Sequence, residues 1–207
     1  QSGLSNKKWD KTIKELTKDI YQIAEEQSFI KTLSDKSTKI HPDLYAIYLY
    51  NQLLCYSEVE KYGLENSLFR TTTGLPRAEH IHYDFKALWT GDSTPIPTPS
   101  TVNYIKHIQT IKEEPEKLYA HIYVRHLRDI NEGQLMMKNT PGPNRYYKFK
   151  HGEIKEYKRI VTETINSYIN VYQINVLNEA KVAYATTTQL YQEMDIITGH
   201  KDHKWIR

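Results

Sequence analysis

Apolar residues recur along this chain at intervals of three and four, and no segment sustains the strict alternation of a half-buried strand. Trp9, Ile13, Leu16, Ile20 and Ile23 form one stripe, predicting a first helix over 5–29. At 100° per residue, Lys14, Lys18, Tyr21 and Glu25 fall on a separate face of it. Pro42 suits the start of a second helix over 43–61, with Gly63 placed to stop it. A loop over 71–76 precedes a helix over 77–89. Alternate prolines at 95, 97 and 99 make the next connection extended and stiff. Helices are then expected over 100–113 and from Pro115 onward. Thr140-Pro141-Gly142-Pro143 is a firm break. A final helical region over 153–197 is long enough to be two helices or one bent helix. The pattern predicts a single all-α domain spanning 1–207, with loosely held ends near 1–8 and 199–207.

The stretch 119–135 is central in this pattern. Its apolar positions are Ile122, Leu127, Ile130 and Leu135. Arg125, Arg128, Asp129 and Glu132 lie three, four and seven residues apart, so they share one side of a helix. Such a face is either a solvated surface laced with ion pairs or the polar wall of a site.

Composition narrows the possibilities. The chain has 207 residues, 39% hydrophobic and 26% charged, with 17 Tyr against 4 Phe and 3 Trp. The core must therefore draw on Tyr, whose hydroxyls need partners. A net charge of +3 permits acidic partners without requiring them. The single cysteine, Cys55, excludes an internal disulfide and suits a buried filler. No apolar run is long enough for a membrane-spanning helix. The start at Gln1-Ser2-Gly3, without Met, is expected of a chain whose targeting segment has been removed.

Motifs for phosphate loops, HExxH metal helices and GxSxG nucleophiles do not occur. His80 and His82 are two apart and His121 and His126 five apart, so neither pair shares a helix face. The histidines are expected to be surface or partner-bonded side chains, and no metal site is predicted. The segment 145–159 interleaves Tyr146, Tyr147 and Phe149 with bases, as single-strand nucleic-acid platforms do, although Glu153 and Glu156 dilute its charge.

Ala120-His121-x-Tyr123-x-Arg125-x-Leu127-x-Asp129-x-x-x-Gly133-Gln134 resembles the distal-helix signature of the heme oxygenase family. The resemblance is colinear along nearly the whole chain. It takes in 13–20, Pro76-Arg77 through Asp84, Ala87-Leu88-Trp89, Tyr104-Ile105, Glu114-Pro115-Glu116, Asn166-Ser167, Glu179-Ala180-Lys181 and Gln189-Leu190-Tyr191. It implies a helical domain that clamps heme between a proximal and a distal helix.

The chain departs from the family at the site itself. The position of the proximal histidine ligand holds Tyr21, and a phenol must lose a proton with a pKa of about 10 to ligate comparably. Glycines that let the distal helix approach the heme face are replaced by Arg128 and Glu132, which are placed to pair with each other. Tyr123, Arg125 and Asp129 are retained. Lys14, Lys18 and Lys158 match basic positions near the heme propionates, while Thr162 stands where an arginine completes that set. These departures imply an inactive heme-oxygenase-like protein that binds heme weakly at most.

The Lys-, Asn-, Ile- and Tyr-rich composition is similar to that of the divergent family members of malaria-type parasites, which implies a plastid (apicoplast) location. The implied role is organelle biogenesis or gene expression. Its partners would be organelle proteins, or DNA or RNA contacted through Arg145, Lys148, Lys150, Lys158 and Arg159. The alternatives are a heme-binding or active enzyme with Tyr21 as ligand, and a nucleic-acid-binding helical module.

Overall fold

The structure, a computed structural model, describes residues 29, 31, 33 and 39–199. The expected first helix, with Lys14, Lys18 and Tyr21, lies outside the described residues, as does the tail beyond Gly199. Within them the chain is helical: α1 Pro42–Glu65, α2 Ala78–Leu88, α3 Pro99–Thr110, α4 Pro115–Met136, a 3-10 turn Arg145–Tyr147, and α5 Glu153–Gly199.

Prolines open α1, α3 and α4, where their fixed φ suits the first turn and their missing N–H has no partner to lose. The imidazole of His41 caps α1 by accepting from the Asp43 N–H, and the Thr98 hydroxyl accepts from Thr101 N–H at the head of α3. Helix α5 bends at Tyr172, whose backbone (φ −121°, ψ 42°) leaves the helical region. The long last region is therefore two helices joined end to end at a kink at Tyr172.

One expected boundary moves. Helix α1 runs through Gly63 to Glu65 and is closed by Asn66, whose side-chain amide donates to the carbonyls of Tyr62 and Lys112 at 2.8 Å each. Gly63 serves packing instead. A β-carbon there would stand 2.6 Å from the Phe69 ring.

Helix α4 packs along α5 on one side and against α1 on another. Every residue from Leu118 to Leu127 is buried. The helix therefore has no solvated flank over this stretch, and the expected apolar stripe is only part of a surface enclosed all round. Leu135, predicted to belong to the stripe, is 50% exposed, while Gly133 and Met136 on either side of it are buried. Two groups of buried residues flank α4. One contains Val59, Phe69, Ile108, Ile122, Val161 and Ile165. The other is rich in tyrosine, with Tyr45, Tyr48, Tyr56, Tyr146, Tyr147 and Tyr191. Cys55 is buried in the first, as expected of a filler.

Enclosing α4 also buries two histidines, and each meets a carboxylate from another helix. His126 Nε2 lies 2.7 Å from Glu60 Oε2, and His121 Nε2 lies 2.7 Å from Glu179 Oε1. Glu60 also accepts the backbone N–H groups of Arg77 and Ala78, so one buried carboxylate joins α1, the head of α2 and α4. Arg77 extends this junction by donating to the carbonyls of Leu75, Tyr146 and Lys148, with its guanidinium 4.0 Å from the centre of the Phe149 ring. The carboxylate of Asp84 accepts from Arg145 and Tyr146 N–H. The 3-10 turn is held in place from both ends. Replacing Glu60 with Ala strands three buried donors and is expected to cost about 3 kcal/mol of stability, read as a lower urea midpoint; Glu60→Gln should recover part of the loss.

Candidate functional site

The polar residues of α4 are turned inward. Arg125 is 4% and Asp129 5% exposed, so the reading of this face as solvated surface is overturned. Burial of a charge demands partners, and each residue has them. The Tyr56 hydroxyl donates to Asp129 Oδ2 at 2.7 Å, and Arg125 Nε donates to the Tyr104 hydroxyl at 2.9 Å. Tyr104 Oη lies 2.6 Å from His121 Nδ1. The network therefore runs from Asp129 and Tyr56, past Arg125 and Tyr104, to His121 and Glu179. Glu179 Oε1 also meets His107 Nε2 at 2.6 Å. Sequence reasoning singled out Tyr123, Arg125 and Asp129 but missed Tyr56, Tyr104, His107 and Glu179, which reach the network from α1, α3 and α5. Tyr123 lies in the core, 2% exposed.

Arg128 and Glu132 do pair, with Arg128 Nε 3.0 Å from Glu132 Oε2. The guanidinium of Arg128 also stands 5.1 Å from the centre of the Tyr191 ring. Beneath them, Tyr146 and Tyr147 stack at 4.2 Å between centroids, and Tyr48 stacks on Tyr191. Gly133 fits against Tyr147 so closely that a β-carbon would lie 2.5 Å from its ring. The space left among Tyr48, Tyr56, Arg125, Arg128, Asp129 and Tyr147 is about 20 Å³. That is room for about one water. Pockets that take small-molecule ligands and cofactors enclose ~300–1,000 Å³. The proximal side expected opposite α4, with Tyr21, lies outside the described residues.

Lys158 and Thr162 lie on the first half of α5, Lys158 exposed and Thr162 half-buried. The basic segment is divided. Arg145, Lys148, Lys150 and Arg159 are exposed, but Arg145 stacks on Tyr83 at 3.5 Å, Lys148 donates to the Pro143 carbonyl, and Arg159 pairs with Glu156 and Glu163. Tyr146 and Tyr147 are each 1% exposed, and half-buried Phe149 lies under Arg77. These rings build the interior, so they cannot serve as an open stacking platform for bases.

Burial also sets the charge states. It lifts the Asp129 carboxyl from 3.8 to about 6, against the opposing influence of His126 and the hydroxyls of Tyr56 and Tyr146. Burial lowers the His121 imidazole. At Glu179 burial acts upward, yet the two imidazoles holding its oxygen bring it below the ordinary carboxylate range.

The Asp129 shift has a defined sign. Its folded value lies above its ordinary value, so the protonated form is favoured by folding. That stability is fully present below pH ~4 and is lost as pH rises through about 6. Relative to Asp129→Asn, which carries no such charge, the native protein is expected to lose about 2 kcal/mol between pH 4.5 and 7.5. Urea unfolding of both proteins across this range checks it; a difference that stays constant with pH contradicts it.

Three comparisons bear on this arrangement. The sequence profile of the family described as heme oxygenase matches residues 7–198. Heme oxygenase 1 of Bos taurus is 28% identical over a stretch covering 92% of this chain and 73% of that protein. The heme oxygenase of Pyropia yezoensis is 24% identical, covering 88% and 84%. Among solved structures, the heme oxygenase of Leptospira interrogans superposes with a TM-score of 0.77 at 22% identity, covering 89% of this chain and 98% of that one. Heme oxygenase-1 of Synechocystis sp. PCC6803, solved in complex with heme, gives 0.76 at 20%, covering 92% and 95%. An all-helical fold shared with these structures, and a family profile spanning nearly the whole sequence, place this chain in the heme oxygenase family.

Proposed function

We propose that this protein is a non-catalytic member of the heme oxygenase family that acts as an interaction module. The observation that carries the reading is how little space the described residues leave beside α4. Arg128 and Glu132 occupy the helix face, Tyr146 and Tyr147 stack behind Gly133, and about 20 Å³ remains. Tyr21 at the family's ligand position adds to the argument from the sequence side, because a phenol binds iron only after losing its proton.

The proposal extends to a plastid of the apicoplast type and to a role in organelle biogenesis or gene expression. Support comes from the Lys-, Asn-, Ile- and Tyr-rich sequence and its degenerate site. Its partners are organelle proteins. Nucleic acid enters only through the exposed bases Lys150 and Lys158 and their neighbours, since the rings of that segment are buried.

A second reading is favoured by one specific observation. The hydrogen bonds joining Tyr56 to Asp129 and Arg125 to Tyr104 are intact. On that reading the protein binds heme through Tyr21, and Tyr21→Phe abolishes the bound spectrum.

Titration of the purified protein with hemin separates the two. The non-catalytic reading predicts no saturable one-to-one complex for the native protein. It predicts a coordinated spectrum only when Tyr21→His, Arg128→Gly and Glu132→Gly are combined. A native one-to-one complex, lost in Tyr21→Phe, overturns it in favour of the second reading.

A further inference from the structure

The network beside α4 ends in a cluster that lies outside the lining of the cavity. His107 at the end of α3, His121 on α4 and Glu179 on α5 bring their donor atoms within 4.8 Å of one another. Both imidazoles present Nε2 to the same carboxylate oxygen, at 2.6 and 2.7 Å. Three helices thus bring two ring nitrogens to one carboxylate oxygen. The cluster is shielded but reachable. The His121 side chain is fully buried, that of Glu179 is 10% exposed, and that of His107 is 32% exposed.

We propose that His107, His121 and Glu179 bind a divalent transition metal ion of the zinc class. Two imidazoles and one carboxylate suit such an ion, with a fourth position left for water on the His107 side. Tyr104 supplies the outer contact that metal-binding histidines usually have, its hydroxyl 2.6 Å from the far ring nitrogen of His121. Ligands on one tetrahedral ion with bonds of about 2.0–2.1 Å stand about 3.3 Å apart. Both nitrogen–oxygen contacts are shorter than that, so the ion enters as the Glu179 oxygen draws back by about 0.6–0.7 Å from each ring nitrogen, with His107 the most exposed of the three side chains.

Binding also has a consequence for the distal network. With the metal on Nε2, the neutral ring of His121 carries its proton on Nδ1 and donates it to Tyr104. The Tyr104 hydroxyl then accepts from both His121 and Arg125. Occupancy of the site thereby sets the direction of the hydrogen bond at Tyr104.

The test is calorimetric titration of chelator-treated protein with Zn²⁺, and with Co²⁺ as a spectroscopic probe of tetrahedral nitrogen and oxygen ligation. Native protein should take up one equivalent. His107→Gln, which keeps a polar group beside Glu179 on a partly exposed side chain, should weaken binding at least ten-fold, and Tyr104→Phe by about ten-fold. A His200→Ala/His203→Ala variant, which removes the tail imidazoles, should bind like native protein. Absence of saturable binding in the native protein, or unchanged affinity in His107→Gln, overturns the proposal. So does loss of binding in the tail variant. The site does not depend on heme binding, so this result stands apart from the hemin titration.

Discussion

Everything around the centre of this molecule follows from one constraint: α4 is enclosed on all sides from Leu118 to Leu127 and buries charged and imidazole side chains there and at Asp129. A buried charge or unpaired donor costs several kcal/mol, so each such group on α4 needs an internal partner from another element. Glu60 of α1 answers His126, Glu179 of α5 answers His121, Tyr104 of α3 answers Arg125, and Tyr56 of α1 answers Asp129. The four partners come from three helices, so satisfying α4 fixes how those helices sit against it. The apolar clusters on either side supply the bulk of the burial, and the polar contacts set the register.

The same constraint explains what was legible in the sequence. Helical periodicity, the prolines at positions 42, 99 and 115 and the break at 140–143 were enough for the order and approximate limits of the helices. The tyrosine-rich composition correctly implied a core built from Tyr. The charged face of α4 could not be placed from spacing alone, because the same four residues fit a wet surface and a buried wall equally well. Resemblance resolved it in favour of the wall. Glu60 and His107 carry no local signal, since a lone carboxylate or histidine on a helix reads as surface, and Tyr104 and Glu179 fell within the resemblance without a role. Their meaning appears only when distant helices meet. Gly63 misled for a related reason: it looked like a helix stop but is needed where Phe69 crosses the helix. The segment 145–159 misled in the opposite sense, because its rings are core residues held by Asp84 and Arg77.

Among the described residues, the candidate site joins the family's fold to a tightly packed interior beside α4. Tyr56, Arg125 and Asp129 keep a connected polar network, while Arg128, Glu132 and the stacked tyrosines take up the adjoining space. On the proposed non-catalytic reading, the network persists for a structural reason, because its members are partners that α4 requires in order to be buried. Retention of the distal polar residues is therefore compatible with loss of activity. In this chain the replaced residues, more than the retained ones, carry the functional reading.

The most direct test of that account is a single-turnover assay of the native protein with hemin, oxygen and a competent electron donor, scored by recovery of biliverdin against an active heme oxygenase run in parallel. The account predicts none above the rate of free hemin with the same donor. Stoichiometric biliverdin from the native protein would contradict it.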